Sequence, residues 1–510
     1  MSDRKLRWLG LGLVATAGAG VLGLSATMNP ASAHADDDIG LVMGGSGLPI
    51  PGSGYVGAAN ELYINNPLHP NFPDTTYPDP YANGLFTPEG WYPIEGVHNL
   101  YINYPLDADG FSSQSTSVGQ GVTILENAIN SNLAADDAST VFGYSQSAII
   151  STQVMELLDP TNTPGGSSVP SGDLQFLLIG DPNNPNGGLL ERFNGFETTS
   201  GQTVPDQLNL PSLGVAFDGA TPSDSFSTDI YTLEYDGLAD FPRYPLDFLS
   251  DLNAFLGFAE IHGTYLDGGV DGVGPTAEQI ADATLLPGSA LDGATDSLTN
   301  YYMIDETAPL VSLLPQSLQE LLGPDLTYLI NLGYGDGSLG YSVTPDSPAD
   351  VATPFGLFPD VSLSTVLSTL ATDTEQGFEN LMSGTDPYSA ALDPATSSAT
   401  SVTDLLSALE ADAANPAASL TDFVNAISSA ASTLYSTLLP TADIVNALLT
   451  SIPAYEASLF TDNLASGDLL DAIGLPIAAD TALNTLAAGF EYDVITSALS
   501  SITADFSGLF

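Results

Sequence analysis

The stretch Ser139-Thr140-Val141-Phe142-Gly143-Tyr144-Ser145-Gln146-Ser147-Ala148-Ile149-Ile150 decides the fold. Its first half is β-branched and aromatic and reads as a short buried strand. Its second half opens an apolar series, Ile149, Ile150, Val154, Leu157 and Leu158, at helical spacing. A serine held between a strand and a helix is the setting of a nucleophile elbow. The turn strains the serine, so the residues two positions away must be small, and Gly143 and Ser147 are. The helix behind it aims amide N–H groups and the positive end of its dipole at the serine's surroundings. A bare Gly-x-Ser-x-[Gly/Ser] pattern arises by chance on the order of once in a Gly- and Ser-rich chain this long, so the flanking strand and helix carry the reading.

A serine nucleophile needs a base, and histidine is the usual one. The chain has four: His34, His69, His98 and His262. In the α/β-hydrolase order the histidine comes last, after the serine and the acid, and only His262 follows Ser145. For the acid, Ile230 to Tyr235 reads as a strand that runs into Asp236-Gly237-Leu238-Ala239-Asp240. Spacing favours Asp240, three residues beyond Gly237. Asp236, which directly ends the strand, is the alternative, and Asp181, one strand earlier, is a weaker third choice. For the oxyanion, the Gln146 N–H supplies one donor. The glycine-rich turn Gly44-Gly45-Ser46-Gly47, after the first strand (Ile39 to Met43), supplies the second from Gly45 or Ser46.

Strands at 39–43, 98–104, 139–144, 174–179 and 230–235 alternate with helical segments at 55–64 and 118–133 and after the elbow. This alternation predicts an α/β fold with a mostly parallel sheet covered on both faces. The Pro- and Tyr-rich stretch 65–91 reads as irregular, and 195–228 reads as an excursion, a lid or hairpin over the site. Past about residue 360, Ala, Ser, Thr and Leu dominate. Val402, Leu405, Leu406 and Leu409 share a helical face. So do Leu420, Phe423, Val424 and Ile427, and then Ile444, Val445, Leu448, Leu449 and Ile452. These predict a C-terminal all-α helical region, either bundled or laid on the first domain, with 384–401 as a linker.

Composition excludes much else. Five Lys and Arg stand against 62 Asp and Glu, a formal net charge of -57. Such a surface repels phosphate backbones and anionic membranes, so nucleic acid is excluded as a partner. With no cysteine there is no disulfide and no thiol catalysis. His/Cys groupings suited to a metal are absent, and Gly44-Gly45-Ser46-Gly47 lacks nucleotide-fingerprint spacing, so neither metal nor cofactor is expected. Arg4, Lys5 and Arg7, the apolar run 8–24 and the small-x-small site Ala31-Ser32-Ala33 read as a signal peptide over 1–35. The expected chain is therefore secreted or associated with the cell envelope, with no transmembrane segment in its mature part.

Six stretches then carry a family resemblance: Leu41 to Gly47, Gly143 to Ala148, Pro185-Asn186-Gly187-Gly188-Leu189, Tyr235 to Pro242, His262-Gly263, and Asn331-Leu332-Gly333-Tyr334-Gly335. Over residues 36–358 the chain resembles the PE-PPE domain of mycobacterial and related actinobacterial proteins, serine α/β-hydrolases similar to cutinases and lipases. The resemblance implies an α/β-hydrolase domain over 36–358, followed by the helical region 359–510. It implies a Ser-Asp-His triad on Ser145, Asp240 or Asp236, and His262. The substrate implied is an ester or acyl lipid, with a cell-envelope glycolipid as a further candidate. Esterase, acyltransferase and non-catalytic envelope-binding roles all remain open. Two departures stand out: a signal peptide replaces the family's N-terminal helical module, and cutinase-type disulfides are missing.

Overall fold

The computed structural model describes residues 38–66 (Gly47 and Pro49 apart), Leu68, 81–85, 117–193 (Asp136 and Ser171 apart), 208–294 (Asp218 apart), 297–383 and 438–507, with a few isolated positions between 425 and 433. The signal-peptide reading, His34, His69, His98, the strand expected at 98–104, the linker and the helical faces at 402–427 lie outside these residues.

Strands β1 (Asp38–Met43), β2 (Tyr81–Leu85), β3 (Ala138–Tyr144), β4 (Leu174–Ile179), β7 (Ser227–Leu233), β8 (Thr284–Leu285) and β9 (Thr299–Ile304) form one sheet in the order β2-β1-β3-β4-β7-β9-β8. All neighbours are parallel except β8, which runs antiparallel to β9. Between β4 and β7 a small antiparallel hairpin, β5 (Asn209–Leu210) and β6 (Val215–Ala216), occupies part of the expected excursion. The α/β class and the mostly parallel sheet are as the sequence predicts. The stretch 65–91 differs, because it contributes the edge strand β2.

Side chains alternate between the two faces, as a pleated strand requires. Leu41 and Met43, Val141, Phe176 and Leu178, Ile230, and Tyr301 and Met303 enter one core. Val42, Phe142, Leu177 and Ile179, Tyr231 and Leu233, and Tyr302 and Ile304 enter the other. Both faces are buried, so these strands read as nearly continuous apolar runs rather than alternating ones. Each fully buried aliphatic or aromatic side chain contributes about 1.5–3 kcal/mol.

Helices α1 (Ser53–Ala59, continued by a π turn over Asn60–Ile64), α2 (Ser117–Leu133), α3 (Gln146–Leu158), α4 (Phe248–Glu260), α5 (Ala277–Ala281), α6 (Pro309–Ser312) and α7 (Gln316–Asn331) surround the sheet. Helix α8 (Leu363–Ser383) packs on α7. Then come α9 (Leu438–Leu449), α10 (Ser451–Ser466) and the long α11 (Leu469–Ser507). These last helices are laid onto the α/β unit: α11 packs along α4, and α9 packs on the turn 211–213. The face expected from Ile444 to Ile452 is split, because the α9 helix ends before Ser451. Ile444 and Ile452 are buried, whereas Val445 and Leu449 are exposed. Among the described residues no helix is long and apolar enough to cross a membrane.

The strand order changes direction at β1, whose neighbours are β2 on one side and β3 on the other. Ligands of open α/β sheets bind at the carboxyl ends of strands beside such a switch point. The Gly44–Ser46 turn and Ser145 both sit there, at the ends of β1 and β3.

Candidate active site

Ser145 joins β3 to α3 with φ 55° and ψ -115°, a left-handed conformation that is rare for a side-chain-bearing residue. Neighbouring contacts hold it there. A Cβ on Gly143 would come within 2.8 Å of the Ser147 carbonyl oxygen, so only glycine fits. Ser147 does more than stay small. Its Oγ accepts from the Tyr144 amide at 2.7 Å and donates to the Met43 carbonyl at 3.3 Å, tying the elbow to the end of β1. The Ser145 amide donates to the Ile179 carbonyl at 3.2 Å.

His262 follows the C-terminus of α4. Its Nε2 stands 2.8 Å from Ser145 Oγ, and its Nδ1 stands 2.9 Å from both carboxylate oxygens of Asp236. The imidazole packs beside the Tyr144 ring (centroids 5.5 Å apart) and is stacked with Phe258 (6.0 Å, 17° between planes). Tyr144 Oη donates to the His262 carbonyl. Gly180, at the end of β4 with φ 54°, leaves the space the imidazole needs: a Cβ there would lie 3.2 Å from its Cε1. Ser145 and His262 are both only 5% exposed.

The acid facing the imidazole is therefore Asp236, and the preference for Asp240 is corrected. Strand β7 ends at Leu233, and Tyr235 turns left-handed (φ 66°), which brings Asp236 out at the carboxyl edge of the sheet. Asp236 accepts from the Leu238 amide at 2.9 Å and from Tyr265 Oη at 2.7 Å, as well as from His262. Asp240 folds back instead, accepting from the Tyr235 amide at 2.9 Å and so fixing the left-handed residue. Burial pushes its carboxyl well above the usual range. Asp181 lies elsewhere, bonded to Thr221 Oγ1 at 2.6 Å and to the Asn183 amide at 2.9 Å, with burial raising it to about 6.

On the oxyanion side, Gln146 begins α3, so its amide belongs to the unpaired first turn of that helix. Its side chain is a clamp the sequence reading did not foresee. Gln146 Oε1 accepts from Ser46 Oγ at 2.9 Å, while Nε2 donates to Ser117 Oγ. Gly45 lies against Ser145, since a Cβ on it would sit 3.4 Å from Ser145 Cβ. The structure thus gathers Ser145, Gln146, Gly45 and Ser46 beside the His262–Asp236 pair.

The remaining sequence motifs act as supports. The backbone of the 185–189 loop pairs with the acid turn: Leu189 N donates to Leu238 O at 2.8 Å, and Phe241 N donates to Gly187 O at 2.7 Å. Arg192, fully buried, braces that turn. Its Nε and Nη2 reach the Phe241 carbonyl at 3.3 and 3.2 Å, and its Nη1 reaches the Thr353 carbonyl at 2.6 Å. Burial lowers its guanidinium to about 10. Asn331, in the last of the six stretches, accepts from Tyr235 Oη at 2.9 Å. Glycines meet where α4 crosses the turn: a Cβ on Gly257 would lie 1.8 Å from the Tyr235 carbonyl oxygen, and one on Gly237 would lie 2.0 Å from that of Ala254. Among the described residues no cluster of His, Cys, Asp or Glu could hold a metal ion.

This arrangement can move the Ser145 proton to His262 with Asp236 behind it. The PE-PPE domain profile matches residues 78–335, which include all three groups. The chain is 40% identical over 499 residues (94% of its length) to the Mycobacterium tuberculosis protein "Uncharacterized PPE family protein PPE28", and spans 68% of that relative. It is 39% identical over 345 residues to "PE family protein PE3" of the same organism, covering 66% of this chain and 61% of the relative. It is 35% identical over 324 residues to that organism's "Esterase PE16", covering 62% of this chain and 51% of the relative. No solved structure matches. The chain belongs to the PE-PPE domain family.

Proposed function

We propose that the protein is a serine hydrolase that cleaves neutral carboxylic esters through an acyl-serine intermediate. The observation that carries this reading is the unbroken hydrogen-bond line from Ser145 Oγ through both nitrogens of His262 to Asp236. The relative named an esterase supports it. In the first step His262 Nε2 takes the Ser145 proton as Oγ bonds to the ester carbonyl carbon. Asp236 holds the imidazole's tautomer and stabilises its charged form. The Gln146 amide and the Gly45–Ser46 backbone receive the oxyanion. His262 then passes the proton to the departing alcohol, and water, activated in the same way, releases the acid. The acidic surface disfavours anionic substrates and suits neutral esters and acyl lipids. In this reading residues 1–35 direct secretion, and N-terminal sequencing of exported protein is expected to begin close to residue 36.

The test treats the chain from residue 36, and its Ser145→Ala variant, with a fluorophosphonate probe and then with neutral p-nitrophenyl esters of increasing chain length. Labelling and turnover confined to the wild type are the expected result. Labelling with little hydrolysis, and turnover that appears only when an alcohol acceptor is added, would instead make the protein an acyltransferase. A folded wild type that takes no label would end the catalytic reading and leave a binding role in the cell envelope.

A further inference from the structure

The Nδ1 and Nε2 hydrogen bonds of His262 fix two points of the imidazole, and the ring can still rotate about the line joining them. What lies against its faces decides that angle. Phe258, one turn earlier on α4, is stacked with it (17° between planes), and the Tyr144 ring stands tilted at 34°. The Phe258 ring is held in turn from the C-terminal helix. A Cβ on Gly489 of α11 would lie 3.0 Å from each of Cγ, Cδ1 and Cε1 of Phe258. A point equally far from three atoms of a flat six-membered ring lies on the ring's axis, so the α11 backbone covers the face of Phe258. Phe490, next along α11, meets the same ring edge-on at 6.2 Å, and Tyr492 meets Phe255 edge-on at 6.3 Å. Gly489 and Phe490 are buried, as are Ala482, Leu483 and Leu486 before them on the helix. All of these α11 residues lie outside the matched span 78–335.

We propose that Gly489 and Phe490 are positioning residues of the catalytic site: from the C-terminal helix they seat Phe258 against His262 and so fix the plane in which the imidazole meets Ser145. The inference rests on the hydrolase reading given above. Glycine suits position 489 because even a methyl group there would press on the ring, and the Phe490 edge keeps the ring from turning away. Proton transfer depends on the imidazole plane, because the Nε2 lone pair lies in it and must point at Ser145 Oγ. A displaced Phe258 would therefore slow the chemical step and leave ester binding alone. Helix α11 thereby becomes part of the site rather than a cover for the sheet.

The test measures kcat and KM on a neutral p-nitrophenyl ester, and the proton–carbon resonance of His262 Cε1, in the wild type, Gly489→Ala, Phe258→Leu and the double variant. Alanine raises the helix propensity of position 489, so Gly489→Ala is expected to stay folded. Its methyl displaces the Phe258 ring by a few tenths of an ångström and should lower kcat about ten-fold, with KM near the wild-type value. The His262 resonance should move with the ring. Phe258→Leu, which adds no atom to the site, should lower kcat in the same way. In that background Gly489→Ala should have no further effect, since the ring that carries it is gone. Losses that multiply in the double variant overturn the proposal while leaving the hydrolase standing. So does either single variant, if folded, with wild-type kcat and an unmoved resonance. A wild type that takes no fluorophosphonate label removes the hydrolase reading, and the proposal with it.

Discussion

Asp236 receives the Leu238 amide, the Tyr265 hydroxyl and the His262 imidazole, a set of donors suited to an anion. Asp240, four residues on, receives one amide, and its Oδ1 has no hydrogen-bond partner. Their chemistry should differ accordingly. Asp236→Asn is expected to lower kcat/KM on a neutral ester by about a thousand-fold or more, since the imidazole loses both its tautomer and its counter-charge. Asp240→Asn, which keeps an acceptor for the Tyr235 amide, should leave kcat/KM near the wild-type value. Steady-state kinetics on the two variants check this, and the opposite ranking would restore Asp240 to the triad. Sequence spacing could not separate the two residues. The choice depends on the left-handed turn at Tyr235, which is held in turn by Asn331, ninety-six positions away. By contrast Ser145 and His262 were legible because chain order and the small residues of the elbow are local signals.

At the scale of elements, the strands that were easy to read are those buried on both faces, such as Leu174–Ile179. Strand β2, Tyr-Ala-Asn-Gly-Leu, escaped because its Asn-Gly pair is turn chemistry, and an edge strand need not be apolar throughout. Strand β9 escaped because Thr-Asn-Tyr-Tyr-Met-Ile follows a long region of short turns without a helix directly before it. The α4 crossing depends on two glycines whose missing Cβ atoms let the helix touch the acid turn. Gly257→Ala is therefore expected to force helix and turn apart and to cost about 1–3 kcal/mol of stability. The displaced His262 would take activity down with it. Thermal melts and probe labelling of the variant measure both losses, and an unchanged melting temperature would remove the crossing from the account.

Across the whole molecule, burial holds several acids above their ordinary range. Asp181 is raised to about 6, Glu234 and Asp493 to about 7, and Asp251 to about 9. Each binds a proton in the folded state that an unfolded chain, titrating near pH 4, has already released. The stabilisation from these protons is complete below about pH 4 and is lost as pH rises through the folded-state values of 6 to 9. Repulsion within a chain of net charge -57 adds in the same direction. The melting temperature is thus expected to be higher at pH 5 than at pH 8.5, by on the order of 5 °C or more. Calorimetry at the two pH values checks this, and the reverse order would contradict it. The buried Arg192 hub has a different kind of consequence. Beyond Arg7 the chain offers trypsin only two cleavage points, Arg192 and Arg243. The first is sealed within the fold and the second is only half-exposed. The native protein should therefore survive trypsin treatment that degrades its neighbours. Even when denatured it would yield fragments too large for routine peptide mapping, so proteases that cut at acidic residues are the ones that will make it visible in a proteome.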